Sequence, residues 1–312
     1  MSSIVTTRAH ICVVCGSRES DLVATGTDYQ YKTTAQLFKW YCCKGCKHFF
    51  INPIPDENSL NIIYPSTLKN YEDFDIHPSI AFKVKSWLDG IQLRRLALRA
   101  GEDGRLLDVG CAAGMLLDIA RLHCPNLKTL HGLEISEEAS ISAVRKGYFV
   151  YHSTIENTNL PANFYDIIFM QQVIEHVHNP RAVLEKLRQS LRHGGCLVIE
   201  TPNLGSWDQS FFNSGYWEGY HIPRHFNLWT IEGMKKMINE AGFSDFSYRK
   251  RIKPVHWTLS LQNWAINTKK PSWVVKFFDL RNLFLLIVFG LVDFFQLILF
   301  DKASDIQYLA TK

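Results

Sequence analysis

Several things are missing from this chain of 312 residues. There is no large excess of one charge: 34 lysines and arginines face 30 aspartates and glutamates, a formal net charge of +4. That surplus is too small to mark a nucleic-acid binder by itself. Internal repeats and low-complexity tracts are absent as well. The opening residues Met1 to His10 hold no apolar core of the kind a secretory signal needs, so a reducing cytoplasm is the expected compartment. Eight cysteines in a chain of this length do not make the disulfide framework of a small secreted domain. A hydrophobic fraction of 46% with 21% charged residues excludes a disordered, collagen-like or polytopic membrane chain. The length fits one large domain with a small accessory one.

What is present divides into three parts. Residues 1–55 are turn-rich and carry five of the cysteines, ending at Asn52-Pro53-Ile54-Pro55. Cys12-Val13-Val14-Cys15 and Cys43-Lys44-Gly45-Cys46 form two CxxC knuckles, and four thiolates so spaced suit a tetrahedral structural zinc. Cys42 offers a looser hook with Cys46. A segment this short buries little apolar surface, so metal would supply its folding energy. A closed site of four thiolates leaves no open position for catalysis, which makes the role one of scaffolding or substrate gating. Residues 56–103 read as a helical linker: Trp87, Leu88, Ile91, Leu93, Leu96 and Leu98 alternate with Lys85, Asp89, Arg94, Arg95 and Arg99.

From 104 to 312 apolar strands alternate with helical stretches. Strands are predicted at 105–109, 129–134, 149–151, 166–170, 196–200, 244–248 and 305–311. Helices are predicted at 114–123, 136–146, 180–191 and 230–241. That order implies an α/β fold, a doubly wound and mostly parallel seven-stranded sheet covered on both faces. Chemistry in such sheets sits outside the carboxyl ends of the strands.

The first of these strands runs Leu106-Leu107-Asp108-Val109 into Gly110-Cys111-Ala112-Ala113-Gly114. The glycines allow close backbone approach and positive φ, and the helix start behind them offers free N–H groups. Ala112 and Met115 stand where a dinucleotide fingerprint needs glycines, which argues against NAD. Glu134 closes the second strand, where an acid can accept both hydroxyls of a ribose.

These residues resemble the class I S-adenosylmethionine-dependent methyltransferases. Leu107 to Gly114 is similar to their first motif, His131 to Ser136 to their acidic second strand, and Phe164 to Val177 to their fourth strand and following helix. The resemblance covers 104–312, and the cysteine-rich start resembles a leader found on one branch of that family. It implies a Rossmann-like fold with Asp108, Gly110, Cys111 and Gly114 around the methionine half of S-adenosylmethionine. Glu134 and Ile135 would sit at the ribose, Ile155 in the adenine-contacting stretch 153–156, and Gln171 beside the methionine moiety.

Catalysis is expected from two places. Gln172, Glu175 and His176 share one face if the stretch after the fourth strand is helical. Some relatives carry a second Glu where Gln172 stands and bind a divalent ion there; Gln172 removes that charged ligand. The connection 203–229 is too long for an ordinary turn and reads as a substrate-side insertion. It carries Trp207, Phe211, Phe212, Tyr216, Trp217, Tyr220 and Trp229, expected to wall a ring or sugar face. It also carries His221-Ile222-Pro223-Arg224-His225, which resembles a motif of the same branch. A histidine here is a natural general base, His221 and His225 being equal candidates, and Arg224 is placed to hold an anionic acceptor.

A second insertion, 255–303, is hydrophobic. Its stretch 283–300 contains Asp293 as its sole charge, yet the strands before and after it must join one sheet, so it cannot cross a bilayer. Gly290, Asp293 and Gln296 make a polar stripe, and Trp264, Lys269, Lys270, Trp273 and Lys276 precede it, an aromatic and basic mix suited to peripheral membrane contact through 264–300.

The expected function is transfer of a methyl group to an oxygen of a small-molecule acceptor, on a saccharide or a lipid-linked intermediate, with no nucleic-acid partner. Carbon methylation of a nucleotide sugar is one alternative. A zinc-ribbon nucleic-acid module on a degenerate methyltransferase body is another.

Overall fold

The computed structural model describes residues 4–65 and 80–312, so the part of the linker at 66–79 lies outside the described residues. The N-terminal part contributes β1 (Thr7–Arg8), β2 (Ser20–Gly26), β3 (Phe38–Cys43), β4 (Phe49–Ile51), β5 (Ile54–Pro55) and the short helix α1 (Leu60–Ile63). Helix α2 (Ile80–Ala97) buries Leu93 and Leu96 but leaves Trp87 exposed, as is Leu98 just past its end.

The body then alternates strand and helix: β6 (Gly104–Val109), α3 (Met115–His123), β7 (Leu127–Glu134), α4 (Glu137–Arg145), β8 (Phe149–His152), β9 (Tyr165–Gln171), α5 (Pro180–Ser190) and β10 (Leu191–Pro202). Local chemistry sets the helix starts. The Ser136 hydroxyl accepts from Ala139 N, Asn179 Oδ1 accepts from Ala182 N ahead of Pro180, and the Thr230 hydroxyl accepts from Gly233 N at the start of α7 (Ile231–Glu240). Leu106, Leu107 and Val109 of β6 are all fully buried, as a central parallel strand covered on both faces requires.

Strand order in the large sheet is β8-β7-β6-β9-β10-β13-β12, where β12 is Asp245–Arg251 and β13 is Asp305–Thr311. The first five run parallel, and β13 is antiparallel to both neighbours. This is the doubly wound, mostly parallel seven-stranded arrangement expected. The chain order reverses between β6 and β9, and the crevice at that switch point opens at their carboxyl ends.

A second sheet has the order β11-β4-β3-β2, and β11 (Asn227–Leu228) belongs to the 203–229 insertion. The N-terminal part and the insertion thus share backbone hydrogen bonds, with Asn227 opposite Phe50. They also share a core: Phe38, Trp40 and Ile54 pack with Phe212, Trp217, Tyr220 and Leu228. Helices α8 (Val255–Asn267), α9 (Ser272–Phe277) and α10 (Leu283–Phe300) fill the interval between β12 and β13.

The two CxxC knuckles meet as expected. Cys12 Sγ lies 3.3 Å from Cys46 Sγ, Cys15 Sγ lies 3.5 Å from Cys43 Sγ, and all four sulfurs fall within 4.8 Å of one another. Strand alternation turns Cys42 to the opposite side of β3, where its thiol approaches the Cys43 carbonyl at 3.7 Å. Cys42 is therefore outside the cluster.

Candidate active site

Beyond Val109 the chain turns sharply, with Gly110, Ala112 and Gly114 all at positive φ. A Cβ at Gly110 would stand 2.4 Å from Val173 Cγ2, so this position needs glycine for space as well as conformation. Glu134 is tied to the same turn: its carboxylate accepts from Ala112 N at 2.9 Å and from Ser136 N at 2.8 Å. Burial raises its pKa above the ordinary value.

A cavity of about 570 Å³ opens here. Gly110, Glu134, Ile135, Ile155 and Gln171 line one end, bringing together five of the residues expected around a cofactor. Asp108, Cys111 and Gly114 sit behind the turn instead. Cys111 packs against Gly132, where a Cβ would be 2.4 Å from the sulfur, and Gly114 caps the start of α3.

The other end of the cavity holds His176, His221 and His225, each offering one ring nitrogen within 4.8 Å of the others. After β9 the chain does not form the expected helix. Gln172 takes a positive φ, and Ile174–His176 is a single 3-10 turn. Gln172 consequently leaves the face of Glu175 and His176, and its amide donates to Asp305 Oδ2 at 2.9 Å. The reason is competition: the Asp305 carboxylate on β13 offers a charged acceptor that a regular helix would forgo.

Glu175 is wholly buried with neither carboxylate oxygen hydrogen-bonded among the described residues, and burial pushes its pKa up to about 8. His225 Nε2 is 3.8 Å away. The other nitrogen of His225 donates to the Gly219 carbonyl at 2.7 Å. His176 Nδ1 donates to the Arg224 carbonyl at 3.0 Å and lies 2.7 Å from the Tyr64 hydroxyl. Burial draws the His176 pKa down to about 4. His221 has a left-handed backbone, and its Nε2 is buried without a hydrogen-bond partner among the described residues. Burial lowers its pKa well below the usual histidine range, so the ring is neutral at pH 7.

Two expectations for the insertion need correction. Arg224 does not reach for an anion, since Asp28 of the N-terminal part already holds it in a bidentate pair at 3.1 and 2.9 Å. The insertion's aromatics do not wall the cavity either. Phe212, Trp217, Tyr220 and Trp229 are buried in the core, where several aromatic faces gain more from packing than from an open surface. The cavity's aromatic wall is Tyr31 and Tyr64, which sequence reasoning missed.

Lys253 and His256 were missed too. Asp305 and Glu218 flank His256 at 2.7 and 2.5 Å. Burial opposes the charge of that ring, but the two carboxylates outweigh it and raise its pKa well above the ordinary value. A histidine and a lysine at the start of an otherwise apolar segment were the signal available.

The methyltransferase-domain family matches residues 86–248, just over half of the chain. The chain belongs to the class I S-adenosylmethionine-dependent methyltransferases. A ubiquinone biosynthesis O-methyltransferase of Parvibaculum lavamentivorans is 30% identical over 181 residues, covering 55% of this chain and 69% of the relative. One from Escherichia coli is 26% identical over 197 residues, covering 61% of this chain and 80% of the relative. Among solved structures, phosphoethanolamine N-methyltransferase 2 of Haemonchus contortus superposes with a TM-score of 0.53 at 16% identity. That match covers 94% of this chain and 68% of the other, and shows the fold. The methyltransferase body therefore takes S-adenosylmethionine as its methyl donor and a small molecule as acceptor.

Proposed function

We propose that this methyltransferase methylates a hydroxyl oxygen of a saccharide or lipid-linked acceptor at the cytoplasmic side of the cell. One observation carries the reading: a single cavity runs from Gly110 and Glu134 to His176, His221 and His225. S-adenosylmethionine, when bound, supplies an electrophilic methyl group. The residues present fit that cofactor. Gly110 brings bare backbone to the cavity wall, and Glu134 is held beside it by two backbone donors. Glu134 would accept from the ribose, and Ile135 and Ile155 would pack on the nucleoside. Gly110 and Gln171 would face the methionine portion, while Asp108, Cys111 and Gly114 keep the turn in shape.

At the far end the task is to remove the acceptor's proton. His221 is the better placed base, because its Nε2 has no partner and the ring lines the cavity. His225 is committed to Gly219 and faces Glu175, so the two form a positioning pair behind it. His176, fixed by Arg224 and Tyr64, would orient the acceptor hydroxyl. The name shared by the curated relatives supports oxygen as the atom methylated. Cys12, Cys15, Cys43 and Cys46 would hold one structural zinc, since four sulfurs at these separations match a tetrahedral site after small adjustments.

The test is product identification. Cell extract is incubated with the protein and methyl-labelled cofactor, and the product is identified by mass and treated with hydriodic acid. Release of labelled methyl iodide marks an ether and supports the reading. A label that resists cleavage marks carbon methylation, and no labelled small molecule at all removes the proposal.

A further inference from the structure

Helix α10 is built inside out. It spans 18 residues with mean hydropathy 2.6, and only 17% of it is buried. Its two polar side chains point inward. Asp293 accepts from Lys253 N at 2.7 Å, Trp257 Nε1 at 3.0 Å and the Ser304 hydroxyl at 2.7 Å, and Gln296 Oε1 accepts from Trp207 N at 3.1 Å. The outward side carries Phe284, Ile287, Leu291, Phe295, Ile298 and Leu299, each more than half exposed. A helix on a water-facing surface places polar groups outside, and reversal of that pattern marks a face meant for a nonaqueous neighbour.

The helix cannot cross a bilayer. Strands β12 and β13 pair along their whole length, from Asp245 opposite Thr311 to Arg251 opposite Asp305, so both ends of the 255–303 insertion return to one sheet edge. The helix must lie along a surface. Just ahead of it in the chain, Trp273 on α9 is 71% exposed, and its sequence neighbours Lys269, Lys270 and Lys276 are exposed too. An exposed indole among lysines matches the headgroup zone of an anionic membrane. No charged residue interrupts the outward face of α10, because its one acid, Asp293, is turned inward.

Helix α8, which packs against α10, reaches the cavity. His256 on α8 lines its acceptor end, and the next residue, Trp257, stacks on Phe289 of α10 at 5.5 Å and 4° between planes. A surface that receives α10 therefore lies one helix layer from the histidine cluster.

We propose that the outward face of α10, with Trp273 and the lysines of the α8–α9 turn, seats in the headgroup and upper acyl region of an anionic phospholipid bilayer. Lipid docking rests on these exposed side chains and not on the reaction catalysed; its use for collecting a lipid-linked acceptor rests on the O-methylation reading above.

The full chain is sedimented with vesicles of phosphatidylcholine, alone and mixed with phosphatidylglycerol, with neither cofactor nor acceptor present. Wild type is expected to pellet with the mixed vesicles, several-fold less with phosphatidylcholine alone, and less at high salt. Phe284→Glu with Ile298→Glu should leave the protein in the supernatant. Both side chains are exposed, and unchanged circular dichroism and cofactor binding would show that the fold persists. Brominated lipids supply a second measurement: wild-type tryptophan fluorescence should fall, and Trp273→Phe should remove most of the quenching. Wild type that stays in solution with both vesicle types overturns the proposal. A wild-type dimer dissolved by the Phe284/Ile298 pair, without vesicle binding, overturns it in favour of a second copy. Neither result bears on methyl transfer, which the labelled-product experiment decides.

Discussion

Arg224 and Asp28 form a bidentate ion pair, 1% and 0% exposed, across 196 positions of sequence. The Arg224 guanidinium also lies over the Tyr31 ring, 4.3 Å from its centroid, and Tyr31 lines the cavity. Burial works against the Asp28 charge, but the Arg224 contact holds its carboxyl below the usual range. The cysteine-bearing part is thereby latched to the histidine loop.

Breaking that latch should cost stability rather than acceptor affinity alone. Asp28→Asn or Arg224→Met each strands a buried partner, at about 3–5 kcal/mol. The double variant should lose clearly less than the two singles combined, because no lone charge is left buried. Denaturant unfolding of the four proteins measures this cycle, and additive losses would show that the pair is not coupled.

Metal removal should reach the active site. Elemental analysis is expected to find one zinc per chain, lost in Cys43→Ser. Because β4 pairs with β11 of the insertion, losing the metal should lower the melting temperature and increase exposure of Trp40 and Trp217. Cofactor binding at Gly110 and Glu134 should persist, since hydrogen bonds among residues 112–136 hold that turn. Tryptophan fluorescence and calorimetry separate the two effects.

Glu134→Ala should weaken S-adenosylmethionine binding by at least about tenfold, as expected when hydrogen bonds to a charged group worth ~1.5–3 kcal/mol are lost. Calorimetry reads it directly. Unchanged affinity would mean that the carboxylate only braces the Ala112 turn.

Glu175 and His176 give the stability a pH signature. The native state keeps the Glu175 proton to about pH 8, while the unfolded chain releases it near 4.5. The native state binds more protons in that window, so stability falls as pH rises, by at most about 1.4 kcal/mol per unit. His176 titrates near 4 when folded and 6.5 when unfolded, so its contribution rises with pH across that range. The two oppose each other below 6.5, and between 6.5 and 8 the carboxyl acts alone. Glu175→Gln should therefore gain on wild type over that upper window, as melting curves taken at several pH values would show.

His221→Ala should lower kcat by about 10²–10⁴ with little change in cofactor affinity, the range for losing a general base. His225→Gln should cost less and shift the pH–rate profile, because it acts through Glu175 and the loop. Equal losses with superimposable profiles would dissolve the distinction.

The turn at Gly110 and the acid at Glu134 were legible because each depends on near neighbours: a buried apolar strand, a glycine turn, a capped helix. Ser136, Asn179 and Thr230 cap their helices by contacts just as local. The roles of Arg224 and Gln172 were not. Arg224 reads as a free cation until Asp28 is brought to it, and Gln172 reads as helical until Asp305 offers its carboxylate. Tyr31, Tyr64 and His256 enter the cavity from elements that carry no recognisable motif.

By itself, then, the order of residues determined the strand and helix sequence, the cysteine knuckles and the cofactor turn, since periodicity, caps and short spacings act within a few positions along the chain. Only the tertiary structure decided which insertion residues face the cavity, that His225 is tied to the Gly219 carbonyl, and that Asp293 and Gln296 look inward while apolar side chains look out. Those outcomes depend on which distant partner excludes water from a polar group, and that partner is set by packing.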